Sequence, residues 1–492
     1  MDLTASLVAV WRTLRSMRMA LILLLIVSLA AVAGSLVPQV INSPGAVGSL
    51  YREHPLLARV YEVTGLFDVY GSWWFTLAYT LLLISLASCL GPRTRALVRA
   101  LRHRPQPVRE LEAMRHFSET TVAEEPDEAL ERARRVFRRR RYRVSRPDGE
   151  PGVAAEKGAA REAGSLLFHW SFFLLLVGVV FGKGFGFTGQ ATIVEGETFT
   201  EAHASYDVPP DEGRFFTEAM HRGFQVRLRE FQVRYRPTGV PASFVSRVDI
   251  VEERVVVRRD EIRVNDPLIH DGVKLYQQGY GWAPVIRVRR EGRLLSDGAV
   301  VFITDDPQDQ RAPWRGVVKL PSLRPQVGVE FRLFPDPVAA LAGRPMLMAR
   351  DPFLAFTAYR GNLRLTRAQS VFSLDTTGLR RLDDGGIGVG QRVTLPGGVE
   401  IEFAGLREYT QLRVARDPGT GIVLLAAILL LAGLIPALFS SRRKVWVRAV
   451  PGDGGTRLQV AGFALQRAAA FEDEFDRLRR QLVGVGTVRE SS

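Results

Sequence analysis

The chain has 492 residues, 46% of them hydrophobic and 24% charged, which is globular in composition and too long for one ordinary domain. A mean hydropathy of +0.02 is high for a soluble protein, and the apolar residues cluster into four runs of about 18 to 20 residues, long enough to cross a ~30 Å hydrocarbon core. These runs exclude a purely soluble enzyme, and the single cysteine, Cys89, excludes a disulfide framework, a CxxC thiol pair and a cysteine-based zinc site within one chain. The net charge of +14 is accounted for by arginines flanking the apolar runs, and no nucleic-acid partner is expected.

In chain order, residues 1–18 carry Arg12, Arg15 and Arg18 and are read as a cytoplasmic N-terminus. Residues 19–37 form the first transmembrane helix, which leaves through Gly34-Ser35-Leu36-Val37-Pro38-Gln39. Its length exceeds the roughly 7–15-residue apolar core of a cleaved signal, so it is expected to be retained. Residues 38–72 are an extracytoplasmic loop in which Arg52 and Arg59 face Glu53, Glu62 and Asp68. The second helix, 73–90, has Trp73, Trp74 and Tyr79 near one end as an interfacial belt.

Residues 91–163 then open with Arg93, Arg95, Arg99, Arg102 and Arg104, which places them in the cytoplasm. They hold a small mixed unit: a strand at 117–122, a helix at 126–141 with acids early and arginines late, and a hairpin from 141–145 and 153–157. The arginine run 138–141 would sit over anionic membrane lipid. The third helix is 164–181, the extracytoplasmic domain 182–418, and the fourth helix 419–439. The cytoplasmic tail, 440–492, starts with Arg442, Arg443 and Lys444 and is expected to form a strand and an amphipathic helix over 466–482.

The segment between the third and fourth helices reads as β. Stretches 225–235, 244–253, 255–264, 285–290, 329–334 and 399–403 alternate apolar and polar residues, separated by turns such as Pro237-Thr238-Gly239 and Pro396-Gly397-Gly398. Many short strands without long helices predict an antiparallel sandwich or barrel-like domain. It contains no Ser-His-Asp signature, His-x-x-x-His pair or phosphate loop, so it is read as a binding domain with no catalytic residue. The fold class is a multi-pass α-helical membrane protein with four transmembrane helices, a large extracytoplasmic all-β domain and a small cytoplasmic α/β insertion.

Chemistry is sought first among intramembrane polar residues, because burying them in lipid is costly. One ionisable side chain, His169, sits well inside an apolar run, in Leu166-Leu167-Phe168-His169-Trp170-Ser171-Phe172-Phe173. An imidazole there is open to three roles: a hydrogen bond to a neighbouring helix, ligation of haem or another metal, or proton relay. Phe168, Trp170, Phe172 and Phe173 would suit either a porphyrin or ordinary helix packing. His54, His103, His116, His203, His221 and His270 show no metal-ligand spacing and are read as surface or hydrogen-bonded structural residues. Cys89 is read as a small buried apolar residue.

Several short signatures fall in a fixed order on this frame: the Gly34–Gln39 exit, Ala155-Glu156-Lys157-Gly158 leading through Gly164 to Phe168-His169, and Asn265-Asp266-Pro267-Leu268 followed by Gly272, Tyr276-Gln277 and Tyr280-Gly281. Asp417-Pro418-Gly419 then enters the fourth helix, with Trp446-Val447 after it. In this order the chain resembles the ResB/CcsB family of system II cytochrome c biogenesis membrane proteins over roughly 11–450. The resemblance implies a subunit that handles haem b, as transferred cargo, across a bacterial cytoplasmic membrane and supports its attachment to apocytochrome c. It implies a ResC/CcsA-like multi-span partner carrying the tryptophan-rich haem motif, which this chain lacks. It also implies a thioredoxin-like reductant for the apocytochrome thiols. The family's transmembrane histidine maps onto His169 as candidate axial ligand of the haem iron. The chain would then be a component of a haem-lyase complex with no complete active site of its own. The alternative is a non-catalytic scaffold that recruits apocytochrome, or assembles a respiratory complex, without binding haem.

Overall fold

The computed structural model describes residues 3–483 except 41–42, 107, 109, 148–149, 237–240, 305–308, 310, 367–370, 453–454, 465 and 467. The Pro237-Thr238-Gly239 turn and the last nine residues of the tail therefore lie outside the described residues. The chain forms two compact units, Met1–Val180 with Gly419–Ser492, and Phe181–Pro418.

The first unit contains helices over Met17–Leu36, Trp73–Arg102, Ala160–Phe185 and Thr420–Phe439, each long and apolar enough to cross a membrane. Ser16 and Ser72 cap the first two, accepting from the Met19 and Phe75 amides. The second helix does not stop at 90. It runs through Pro92 to Arg102, because residues 93–102 are rich in arginine, leucine and alanine, all strong helix formers, and proline removes only one internal bond. Leu23, Tyr79, Leu82, Leu86, Leu90 and Leu176 form the buried contact among the first three helices, where the Tyr79 hydroxyl donates 2.9 Å to the Leu176 carbonyl.

The segment expected as an outer loop, 38–72, is built around two short helices, Pro44–Glu53 and Pro55–Thr64, that bury Val47, Ala58 and Phe67. Gln39 fastens them: its amide donates to the Val37 and Leu66 carbonyls, and its oxygen accepts from the Val69 amide. Gly34 is needed because Tyr70 lies against it, with ring atoms 3.0 Å from where a Cβ would stand.

The small mixed unit and the tail, expected as separate pieces, form one sheet. Its order is His116–Val122, Gly455–Ala464, Arg443–Gly452, Gly152–Lys157, Arg143–Ser145, all antiparallel, so the tail supplies the two inner strands next to the insertion's own hairpin. The Pro126–Arg139 helix and the Ala468–Val483 helix cover it, burying Leu130 and Phe137 from one and Phe471, Phe475, Leu478 and Leu482 from the other. Arg442, directly after the fourth span, is held between Glu156 at 2.8 Å and Glu162 at 2.6 Å.

The second unit is β-rich, and it holds two cores. Strands Val273–Arg290 and Val399–Arg416 pair antiparallel along their lengths and serve both. At one end Val273, Leu275, Leu412 and Val414 pack on the four-stranded sheet containing Gln225–Tyr235, Pro241–Glu252 and Val255–Arg263. At the other, Ile286, Val288, Ile401 and Phe403 pack on a five-stranded sheet containing Trp314–Leu320, Gln326–Phe334 and Phe353–Gly361. Where one antiparallel sandwich or barrel-like domain is expected, the unit holds two sandwiches sharing one long strand pair. Pro396-Gly397-Gly398 makes the expected turn, with Gly397 and Gly398 at φ 99° and 74°.

The 265–281 signature forms a turn and the strand that leaves it. Asn265 and Gly272 both take positive φ, and Leu268–His270 returns on Val273 through Asp271-Gly272. The sequence pattern predicts that Tyr276 packs inward, but it is exposed while Leu275 is fully buried, because neighbours on a strand face opposite ways. A register shift between Gln277 and Gly279 then turns Tyr280 inward onto Phe231 and Phe244. At the bulge, the Gln277 oxygen accepts from the buried Ser246 and Thr410 hydroxyls.

Candidate functional site

His169 lies nine residues into the Ala160–Phe185 helix, about 13–14 Å along its axis at roughly 1.5 Å per residue. The helix itself provides its first partner. The imidazole Nδ1 is 2.6 Å from the Ser165 carbonyl, one turn back. A carbonyl only accepts, so Nδ1 carries a hydrogen, and in a neutral ring Nε2 would present its lone pair. Among the described residues Nε2 has no hydrogen-bond partner. A backbone carbonyl fixing one imidazole nitrogen while the other stays basic is the usual way a protein orients a metal-binding histidine.

The ring is half-buried, edge-on to Phe168 with centroids 5.4 Å apart. His169 shares a helical stripe with Phe172, Phe173 and Leu176, whose side chains join the contact with the second span. Trp170 is committed elsewhere in that contact, its indole donating 3.0 Å to Thr94 and its ring edge-on to Phe173. Of the four aromatics around His169, Trp170, Phe172 and Phe173 therefore serve helix packing. The opposite face of the helix meets the fourth span at Gly164 and Gly433, where no side chain separates the backbones. No other histidine occurs within the four spans.

The other histidines take varied positions. His54 joins the two short helices after the first span, and His103 ends the second. His116 packs against Phe471 and Phe475, and His270 bonds to Glu252 at 2.6 Å. His203 and His221 depart from the expectation that no two histidines pair, because both reach the Glu212 carboxylate, at 2.7 and 3.0 Å. Neither the spacing in sequence nor any short motif signals that convergence. Cys89 is half-buried, its thiol 3.3 Å from the Leu86 carbonyl.

A model of the ResB-like family matches residues 17–476 of this sequence. The chain belongs to that family. A cytochrome c biogenesis protein CcsB of Nostoc sp. is 26% identical over 468 residues, covering 94% of this chain and 90% of the relative. The protein of the same name from Thermosynechococcus vestitus is 28% identical over 489 residues, covering 95% of each. That from Gloeobacter violaceus is 26% identical over 495 residues, covering 96% of this chain and 90% of the relative. The similarity therefore extends over both units of this ResB-like chain.

Proposed function

We propose that this chain is a subunit of the system II cytochrome c maturation machinery and that His169 supplies an axial ligand to haem iron while haem crosses the membrane. The observation that carries the proposal is the placement of the imidazole: Nδ1 tied to Ser165, and Nε2 without a hydrogen-bond partner among the described residues, on a half-buried face of a membrane helix. Membership of the family, and near full-length similarity to proteins named for cytochrome c biogenesis, supports the pathway.

Haem b is the cargo. Its iron takes two axial ligands, and the spans offer one histidine, so the second comes from a ResC/CcsA-like partner and the site lies between the two proteins. Thioether formation needs thiolates, and the only thiol here sits in the second span, so the cysteines come from apocytochrome c and a thioredoxin-like protein keeps them reduced. The β-rich unit receives apocytochrome c outside the cytoplasmic membrane, and both termini lie in the cytoplasm, as the arginines after the second and fourth spans favour. The chain contributes to a haem lyase without holding a complete active site.

Coexpression with a ResC/CcsA-like partner in a bacterium stripped of its own maturation system tests this reading. Covalent haem on a reporter cytochrome c should appear with both proteins and vanish when either is left out. Cytochrome c maturing equally well with the partner alone would overturn it. Reporter fusions near residues 105 and 300 should report opposite sides of the membrane.

A further inference from the structure

The β-rich unit contains a second constellation, unrelated to His169. One ring nitrogen each of His203 and His221 and a Glu212 carboxylate oxygen all lie within 4.8 Å of one another, and the Nδ1 of His203 and the Nε2 of His221 both reach that carboxylate. They come from three separate stretches of chain, and the fold has to bring them together. Glu212 belongs to a short strand paired with Phe187, at the start of the domain, and Gly213 sits so close to the Lys183 and Gly184 carbonyls that no Cβ would fit. Phe187 and Phe216 flank the His221 ring with centroids 4.9 and 5.0 Å away, which fixes its plane.

The His221 imidazole poses a chemical problem. Its side chain is only 4% exposed, and each ring nitrogen faces a carboxylate: Nδ1 lies 2.5 Å from Glu201, and Nε2 lies 3.0 Å from Glu212. Glu201 is fully buried and also accepts from the Tyr206 hydroxyl at 3.1 Å and the Arg222 amide at 2.5 Å. Acceptance from three donors is what a buried ionised carboxylate requires, so Nδ1–H belongs to Glu201. An imidazolium would donate to both carboxylates, whereas a neutral ring has no second hydrogen to give. In the neutral ring the Nε2 lone pair points at the oxygen of Glu212, toward which the Nδ1 of His203 also turns. In that neutral form the three atoms converge on a point that a cation would fill, whereas an imidazolium would leave a hydrogen-bonded cluster.

We propose that His203, Glu212 and His221 form a binding site for a divalent transition metal of zinc type, with Glu201 orienting His221 from behind. Two imidazoles and one carboxylate are a donor set suited to such an ion, and three protein ligands leave a fourth position for water or an incoming group. The Glu201–His221 contact has the form of a carboxylate holding a metal-binding histidine through its other nitrogen. His203 is 39% exposed, which gives the ion a path of entry. The bound ion would fasten the segments carrying His203 and His221 to the short strand of Glu212, itself paired with the first strand of the domain. The Glu252, His270 and Asp271 group lacks such a buried backing carboxylate and serves as the internal control.

The test uses the full chain purified in detergent, stripped with a chelator and titrated with zinc or cobalt(II) alone. One equivalent should bind with submicromolar affinity, and cobalt should give the visible absorption of a four-coordinate site. His203→Ala and Glu212→Gln should each abolish that equivalent while the β-sheet circular dichroism is retained. Glu201→Gln should weaken it about ten- to a hundredfold, as loss of an outer partner does. His270→Ala should leave it unchanged. Zinc stoichiometry that is unaltered in both His203→Ala and Glu212→Gln, or no binding by the wild-type chain, would overturn the site and leave a hydrogen-bonded cluster.

Discussion

Gly164 and Gly433 meet backbone to backbone where the third and fourth spans cross. A Cβ on Gly433 would stand 2.8 Å from the Gly164 carbonyl oxygen and 2.6 Å from the Phe168 amide nitrogen, and a Cβ on Gly164 would stand 2.6 Å from the Gly433 carbonyl. Contacts under 3 Å of this kind involve backbone on both sides, so no side-chain rotation relieves them.

This crossing positions His169, one residue beyond Phe168. Gly433→Val should push the helices apart at a cost of about 1–3 kcal/mol, the usual penalty for overpacking. It should lower haem carried by the purified complex although residue 433 is not a ligand. Gly433→Ala should lower it less. Haem loading measured against protein in both variants checks this, and equal loading in Gly433→Val and wild type would detach the crossing from the site.

Leu275 and Tyr276 separate folding from docking. Leu275→Ala removes a fully buried side chain and should destabilise the β-rich unit by about 2–5 kcal/mol, read as a lower melting temperature. Tyr276→Ala should leave melting within about 0.5 kcal/mol of wild type, because the ring faces solvent. If the exposed ring contacts apocytochrome c, maturation falls in Tyr276→Ala with melting unchanged.

Glu408 gives the β-rich unit a pH dependence. Burial, helped by the nearby Glu195 carboxylate, pushes its carboxyl up from 4.5 to about 7. The folded state therefore holds a proton that the unfolded chain releases as pH rises past 4.5. The charge on Glu408 costs nothing below that pH, costs progressively more up to about 7, and costs its full amount above. Glu408→Gln should make the unit about 1–3 kcal/mol more stable than wild type at about pH 8, with the difference disappearing near pH 4. Paired melting curves at the two pH values decide it.

Much of the frame was legible in the sequence because its signals are local. Charge-free runs mark the four spans, and clean alternation marks Gln225–Tyr235, found as expected. The first half of Val273–Arg290 escaped notice, since Gly279, Gly281 and Pro284 interrupt its pattern around a bulge. Long-range pairing left no local trace: nothing near Trp446 announces that it lies opposite Ala154 in a sheet joining tail to insertion. At the site, His169 stood out as an ionisable group in an apolar run. The hydrogen bond that would orient it as a ligand runs to Ser165, a turn back, which helical geometry brings within reach. Gly433, which meets the third span beside it, sits in a featureless apolar stretch.

The most direct test is the haem content of the purified two-protein complex carrying His169→Gly, measured by its Soret absorption with and without added imidazole. Haem should fall to a small fraction of wild type while the two proteins still copurify, and imidazole, filling the vacated ligand position, should restore part of it. Wild-type haem content in His169→Gly without imidazole would contradict the account and leave His169 a packing residue.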